Sequence, residues 1–215
     1  MIEKPTRHQF TNRVTSEAVL RELVGEPREI VIKKQLPALD RHCRAFIALS
    51  PFMLIGTANA NGQCDVSPRG DAPGFVLALD DHTLAIPDRP GNRRIDSLRN
   101  IVTHGGIGLL FIVPGVEETL RINGRAYIVR DAELRARLEA QGKIPDLAIV
   151  VDIEEAFLQC PKALKRSRLW DAVTWPERGA LPTLAQMIYD QVPRPDTTIE
   201  ALDAAFEQGY RERLY

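Results

Sequence analysis

The sequence predicts a mainly β chain, an antiparallel sheet curled toward a small barrel with helices at both ends. Three observations carry that expectation. Six or seven apolar segments of strand length follow one another in mostly hairpin-sized steps between residues 51 and 160. Asn61-Gly62, Asp80-Asp81 and Pro114-Gly115 supply turns between them. A single crossover helix, starting near residue 95, interrupts the series. Hairpin steps imply antiparallel pairing, and closure toward a barrel removes exposed edges. A doubly wound parallel sheet would need repeated βαβ units, and only one is visible.

Taken in order, residues 1–14 are polar and read as extended or loosely ordered. Thr15-Ser16-Glu17 opens a helix, with Ala18, Val19, Leu20, Leu23 and Val24 as its apolar stripe and Gly25 as its stop. Pro27 marks a break. A second helix is expected over 38–49, where Leu39, Cys43, Phe46 and Ile47 fall at helical spacing. Residues 52–58 read as a buried strand and 63–67 as its return across the Asn-Gly turn. Pro68-Arg69-Gly70-Asp71-Ala72-Pro73-Gly74 is dense in breakers and is expected to be a loop. Strands come next at 75–79 and 83–86, then a helix to about residue 103. Further strands are expected at 106–113 and 119–130. Asp131 caps a helix to residue 141, with Leu134 and Leu138 on one face, and 148–157 is the last strand. In the tail, 161–171 opens as a short helix. Pro176, Pro182, Pro193 and Pro195 punctuate the chain beyond it, and 183–190 and 197–214 read as helices. This divides the chain into a helical extension (1–50), a barrel (51–160) and a helical tail (161–215) that packs on the barrel or on a partner subunit.

Composition narrows the class. Hydrophobic residues make up 44% and charged residues 27%, and the net charge is −1, so nothing marks a general nucleic-acid binder. Cys43, Cys64 and Cys160 are odd in number and far apart, which points to a reducing, cytoplasmic setting rather than a disulfide framework or zinc site. His8, His42, His82 and His104 form no metal-binding pattern. No signal peptide or membrane-spanning run is read. There is no GxGxxG or GxxxxGK[ST] after the first strand, so neither a Rossmann site nor a P-loop has a warrant.

The most informative stretch is Pro87-Asp88-Arg89-Pro90-Gly91-Asn92-Arg93-Arg94-Ile95-Asp96-Ser97-Leu98-Arg99-Asn100. Two adjacent guanidiniums at a helix start suit a phosphate, because fork-shaped donors, free backbone N–H groups and the helix dipole all attract it. The plainer alternative is a solvated helix start in which these arginines pair with Asp88 and Asp96. Likewise Arg69 is either a ligand or the partner of Asp71.

The order of apolar strand, Asn-Gly hairpin, Ser67-Pro68-Arg69-Gly70-Asp71, strand, the Asn92-Arg93-Arg94 segment with its helix, and Glu118-Thr119-Leu120-Arg121-Ile122-Asn123-Gly124-Arg125-Ala126 resembles the pyridoxamine 5'-phosphate oxidase-like family of FMN-binding split β-barrels. The resemblance spans roughly residues 38–170. It implies that Asn92, Arg93 and Arg94 hold the FMN phosphate. Ser67, Pro68, Arg69 and Gly70 would lie along the flavin, and Pro87 and Asp88 would end the strand leading into the triplet. It further implies a homodimer with FMN at the subunit interface, two per dimer. Arg121, Asn123, Ser167, Arg168 and Trp170 are then candidates to reach the site from the partner subunit. The biosynthetic oxidase carries a C-terminal arginine- and histidine-bearing signature that grips its substrate. This sequence ends Gly209-Tyr210-Arg211-Glu212-Arg213-Leu214-Tyr215, so the resemblance is to another branch. The implied activity is FMN-dependent hydride transfer to or from a small substrate or nicotinamide, with a non-catalytic FMN-binding or redox-sensing module as the alternative. No catalytic acid, base or nucleophile is read from the side chains.

Overall fold

The computed structural model describes residues 10–192 and 195–215, which form two compact units divided between Gln35 and Leu36. Pro193 and part of the polar segment expected over 1–14, His8 included, lie outside the described residues. In the first unit, α1 (Glu17–Val24) is capped by the Ser16 hydroxyl and stopped at Gly25, as the sequence reads, and buries none of its residues. A short α2 (Glu29–Lys33), not expected from the sequence, comes after Pro27 and carries a Glu29–Lys33 ion pair one turn apart.

The second unit contains α3 (Arg41–Leu49), β1 (Phe52–Ala58), β2 (Cys64–Gly70), β3 (Leu77–Ala78), β4 (Thr83–Pro87), α4 (Asp96–Thr103), β5 (Gly106–Ile112), β6 (Thr119–Val129), α5 (Ala132–Arg137), β7 (Ala148–Gln159), α6 (Lys162–Ser167), a 3-10 turn at Ala172–Thr174, α7 (Leu184–Gln191) and α8 (Ile199–Glu212). All neighbouring strands pair antiparallel in one sheet of order β2-β1-β5-β6-β7-β4-β3. β2 and β3 are its edges. The architecture is the mainly β, antiparallel split barrel with flanking helices that the sequence predicts.

Alternation fixes which side of the sheet is inside. Met53, Ile55, Ile107, Leu109, Phe111, Leu120 and Ile122 recur at every second position of β1, β5 and β6, and all are buried. Because side chains alternate across a strand, this sends one apolar set to a common core. Leu39, Cys43 and Ile47 from α3 and its approach, and Leu98 and Ile101 from α4, complete that core. The sheet's other face is covered locally by Leu134 and Leu138, which pack with Ala85 and Ala148. Thus α3, placed by the sequence division in an extension ending at residue 50, contributes core residues, and the first compact unit ends at residue 35.

Several boundaries differ from expectation for local reasons. α3 starts at Arg41 because the Asp40 carboxylate accepts from the Cys43 N–H at 2.8 Å and caps it there. α5 stops at Arg137, and Gln141 and Gly142 turn the chain with positive φ. The strand expected over 75–79 shrinks to Leu77–Ala78, since Phe75 closes a turn onto the Ala72 carbonyl. β2 runs on through Pro68, Arg69 and Gly70, residues expected to be loop. An edge strand pairs on one side only, so a proline without an N–H is tolerated there. No described helix is long and apolar enough to cross a membrane.

Candidate functional site

β2 organises the site. Its half-buried Asp65, Ser67 and Arg69 alternate with exposed Cys64, Val66, Pro68 and Gly70, so the first three share one face. The segment after β4 answers that face residue by residue. Ser97 in the first turn of α4 donates to Asp65 Oδ2 at 2.7 Å. Asn100, one turn on, donates to the Thr57 hydroxyl at 3.0 Å in a buried contact that fixes α4 against β1. Farther along, the Arg69 charge acts on Asp88, and Arg89 Nε donates to Asp71 Oδ2 at 2.6 Å.

The Asn92-Arg93-Arg94 triplet has an unusual backbone. Arg93 and Ile95 both take left-handed conformations, with φ of 62° and 55°. For a β-branched residue such as Ile95 that is strained, and strain of this kind clusters where function constrains the chain. Asn92 Oδ1 accepts from the Arg94 N–H at 3.0 Å. Arg94 pairs with Asp96 at 2.8 Å, the plainer of the two readings for that residue, and this contact raises its pKa above the ordinary value. Arg93 is exposed and makes no ion pair or hydrogen bond among the described residues. The N–H groups of the first turn of α4 have no side-chain cap.

Arg69 does not pair with Asp71. Its Nη1 donates to Ser67 Oγ at 2.6 Å and to the Pro68 carbonyl at 3.0 Å, and its Nε is buried with no hydrogen-bond partner. A buried guanidinium N–H without an acceptor is costly and marks a place where a ligand atom would be accommodated. Burial pushes the Asp88 carboxyl above the usual range, against the pull of Arg69. Burial also works against the Asp71 charge, yet the Tyr215 hydroxyl, the Ala72 N–H and Arg89 outweigh it and hold that carboxyl below the usual range.

The structure therefore brings Ser67 and Arg69 near Asp88, which follows Pro87, and brings Arg94, the last residue of the Asn92-Arg93-Arg94 triplet, within reach of the Asp65 charge on the same face of β2. The β-carbon side of Pro68 faces away from Ser67 and Arg69, as does Gly70, so these two offer backbone rather than side-chain contacts. Arg121 and Asn123 lie elsewhere on the sheet: Arg121 sits over the Phe157 ring at 5.3 Å, and Asn123 donates to Glu155. Ser167 donates to the Leu164 carbonyl, Arg168 pairs with Asp171, and the Trp170 indole donates to the Val116 carbonyl at 2.9 Å, so each is engaged within its own chain. Sequence reasoning does not assign Asp71, Arg89 and Tyr215 to the site. The first two stand within the informative motifs, but nothing in the pattern signals a pair 18 residues apart. An open cleft of about 380 Å³, lined by Asn59, Asp65, Asp96, Arg99 and Asn100, lies where the β1–β2 turn meets α4.

Burial pushes the Cys43 thiol up to about 11, which makes it a packing residue of the core. Among the described residues there is no group of three or more His, Cys, Asp or Glu side chains able to hold a metal ion.

Comparison with solved structures gives distant likenesses. One is the HupZ protein of Group A Streptococcus, 17% identical, with a TM-score of 0.47, covering 56% of this chain and 93% of that one. Another is a protein from Clostridium acetobutylicum related to general stress protein 26, of the pyridoxinephosphate oxidase family: 16% identical, TM-score 0.43, covering 55% and 85%. A third is an FMN-binding protein from Syntrophomonas wolfei, 13% identical, TM-score 0.44, covering 67% and 96%. None of the curated proteins compared with the chain matches it. The family model described as pyridoxamine 5'-phosphate oxidase matches residues 39–160, from the core residue Leu39 to the end of β7, more than half of the sequence. With that span covering every strand of the sheet and the whole of the arginine-bearing segment, the chain belongs to the pyridoxamine 5'-phosphate oxidase family.

Proposed function

We propose that the chain is an FMN-dependent oxidoreductase, working as a homodimer with FMN in the cleft between subunits. The observation that carries this reading is the orphaned, buried Arg69 Nε on the face of β2 whose Asp65 acts on Arg94, in the strained turn ahead of the uncapped start of α4. One provides a donor for a polar ring edge or ribityl oxygen, and the other provides charge and free N–H groups for a phosphate. The residues present thus fit the cofactor. Arg93 and Arg94 would hold the phosphate, Ser67 and Arg69 the ring or ribityl side, and Pro87 and Asp88 would border it.

When bound, FMN supplies hydride chemistry, and the protein's part is orientation and electrostatics. Arg69 carries positive charge into a half-buried position, which favours an electron-rich ring. Asp88 feels that same charge, which pulls its carboxyl down against the upward push of burial. The other face of β2, with Val66 67% exposed and Phe52 on β1 also exposed, supports a second copy as cover. The three free cysteines are compatible with a reducing compartment.

The test is a visible spectrum of the purified protein before and after anaerobic NADH or NADPH. Flavin bands near ~450 nm that bleach support the oxidoreductase. Bands that no nicotinamide or chemical donor coupled to a substrate can discharge favour a binding module instead. No flavin uptake, even with FMN supplied, removes the proposal. Replacing both Arg93 and Arg94 by Ala should weaken FMN by about 1.5–3 kcal/mol for each charged hydrogen bond lost and leave riboflavin almost unaffected. Equal losses for the two ligands would sink the phosphate assignment.

A further inference from the structure

Arg89 stands between the two groups of residues assigned to the cofactor and belongs to neither. It is nevertheless the most firmly held arginine described on this side of β2. Its side chain is 15% exposed, and its partner Asp71 is 2% exposed. Asp71 is itself well matched: Oδ1 accepts from the Tyr215 hydroxyl at 2.6 Å and the Ala72 N–H at 2.7 Å, and Oδ2 accepts from Arg89 Nε at 2.6 Å. The Tyr215 ring lies against the guanidinium, 5.7 Å from its central carbon to the ring centroid. Two loops and the segment after α8 thus converge on one arginine.

That arrangement uses one of the five N–H groups of Arg89. Its two terminal amino groups have no protein partner among the described residues. A guanidinium that served only to neutralise a carboxylate would gain most by pairing fork to fork, with two parallel hydrogen bonds. Here the carboxylate takes the Nε edge, and the ring of Tyr215 braces the plane. The remaining fork is the part of the side chain that matches carboxylate and phosphate geometry. Its surroundings suit an anion: Asp71 is already matched, and Arg69 brings a second positive charge to Asp88, the residue before Arg89 in the chain.

We infer that Arg89 anchors a carboxylate or phosphate group of a small-molecule substrate bound beside the cofactor, with Asp71 and Tyr215 as the residues that position it. The inference rests on the flavin reading for the site's location and names the substrate class that site takes, a small anion-bearing molecule.

The experiment uses the full chain loaded with FMN, titrated separately with benzoate and with inorganic phosphate. Binding is followed by perturbation of the flavin band and, in parallel, by calorimetry. Saturable binding of benzoate points to a carboxylate substrate, and of phosphate to a phosphorylated one. Arg89→Ala should weaken the anion at least tenfold, and Arg89→Lys, which keeps the charge without the fork, should weaken it nearly as much. Tyr215→Phe, which keeps the ring and loses the hydroxyl contact to Asp71, should weaken it severalfold. All three should leave FMN affinity within about twofold, an effect a merely structural role would not separate. Should Arg89→Ala fail to fold, Arg89→Lys and Tyr215→Phe decide the matter. Unchanged anion affinity in the variants, or no binding of either anion to the unmodified chain, overturns the inference. So does a loss of FMN with riboflavin retained, which would make Arg89 a ligand of the cofactor's phosphate. If the chain takes up no flavin, the flavin reading fails by itself, and calorimetry on the flavin-free chain judges Arg89 by the same variants.

Discussion

Asp71 and Asp88, two carboxylates of one neighbourhood, carry opposite signs of pH dependence. Asp71 is held below the usual carboxylate range, so its stabilisation is present at neutral pH and is lost as pH falls through that lowered value. Asp71→Asn should therefore lie below the parent in thermal stability at about pH 7, by an amount on the order of 3 kcal/mol for a broken buried pair, and the gap should narrow toward about pH 3. Asp88 is pushed up by burial, so what it contributes is present at low pH and lost as pH rises through its raised value. Asp88→Asn should gain on the parent as pH rises toward 7, which a melting series checks directly. Ile95 gives a third expectation at this scale. Its left-handed backbone stores strain and its side chain is exposed, so Ile95→Asn should raise the melting temperature by about 2 °C, the equivalent of roughly 0.5–1 kcal/mol. The arginine-bearing triplet was legible in the sequence because its chemistry is local. The Asp71–Arg89–Tyr215 cluster was not, because a contact spanning 144 residues leaves no periodic trace.

Among the elements, β6 and β7 form the longest ladder, and its register shifts between Asn123 and Gly124. A β-carbon on Gly124 would sit 2.1 Å from the Asp152 carbonyl oxygen, which is backbone and cannot step aside. Gly124→Ala should cost about 1–3 kcal/mol or more and be seen as an early melting transition. The irregularity bends the strand where the sheet must curl. The sequence reads one continuous strand over 119–130, and nothing in its pattern signals the shift at Asn123-Gly124. β1 and β5 were read to within a residue or so, since each is a continuous apolar run of strand length bounded by turn residues. β2 was read short, because Pro68 and Gly70 are breakers in general and are admitted here only by the strand's place at the edge.

At the scale of the whole molecule, every buried apolar residue described lies at Leu39 or beyond, so a chain beginning at Leu36 should keep its cooperative melting transition. Circular dichroism of that shortened chain against the full one is the check, and collapse of the transition would show that the first 35 residues support the fold. Fold class was accessible from sequence because apolar segments of strand length at hairpin spacing recur over more than a hundred residues. Which loops meet was not, since that depends on how far the sheet curls. One edge of that sheet bears on how molecules meet in concentrated solution. β2 offers a free strand flank beside the exposed Val66, the kind of flank that recruits further copies into fibrils. Pro68 interrupts any ladder a newcomer would build there and so acts as a guard against self-templating. Pro68→Thr should shorten the lag before thioflavin-positive aggregates appear while leaving the melting temperature of the dispersed protein nearly unchanged.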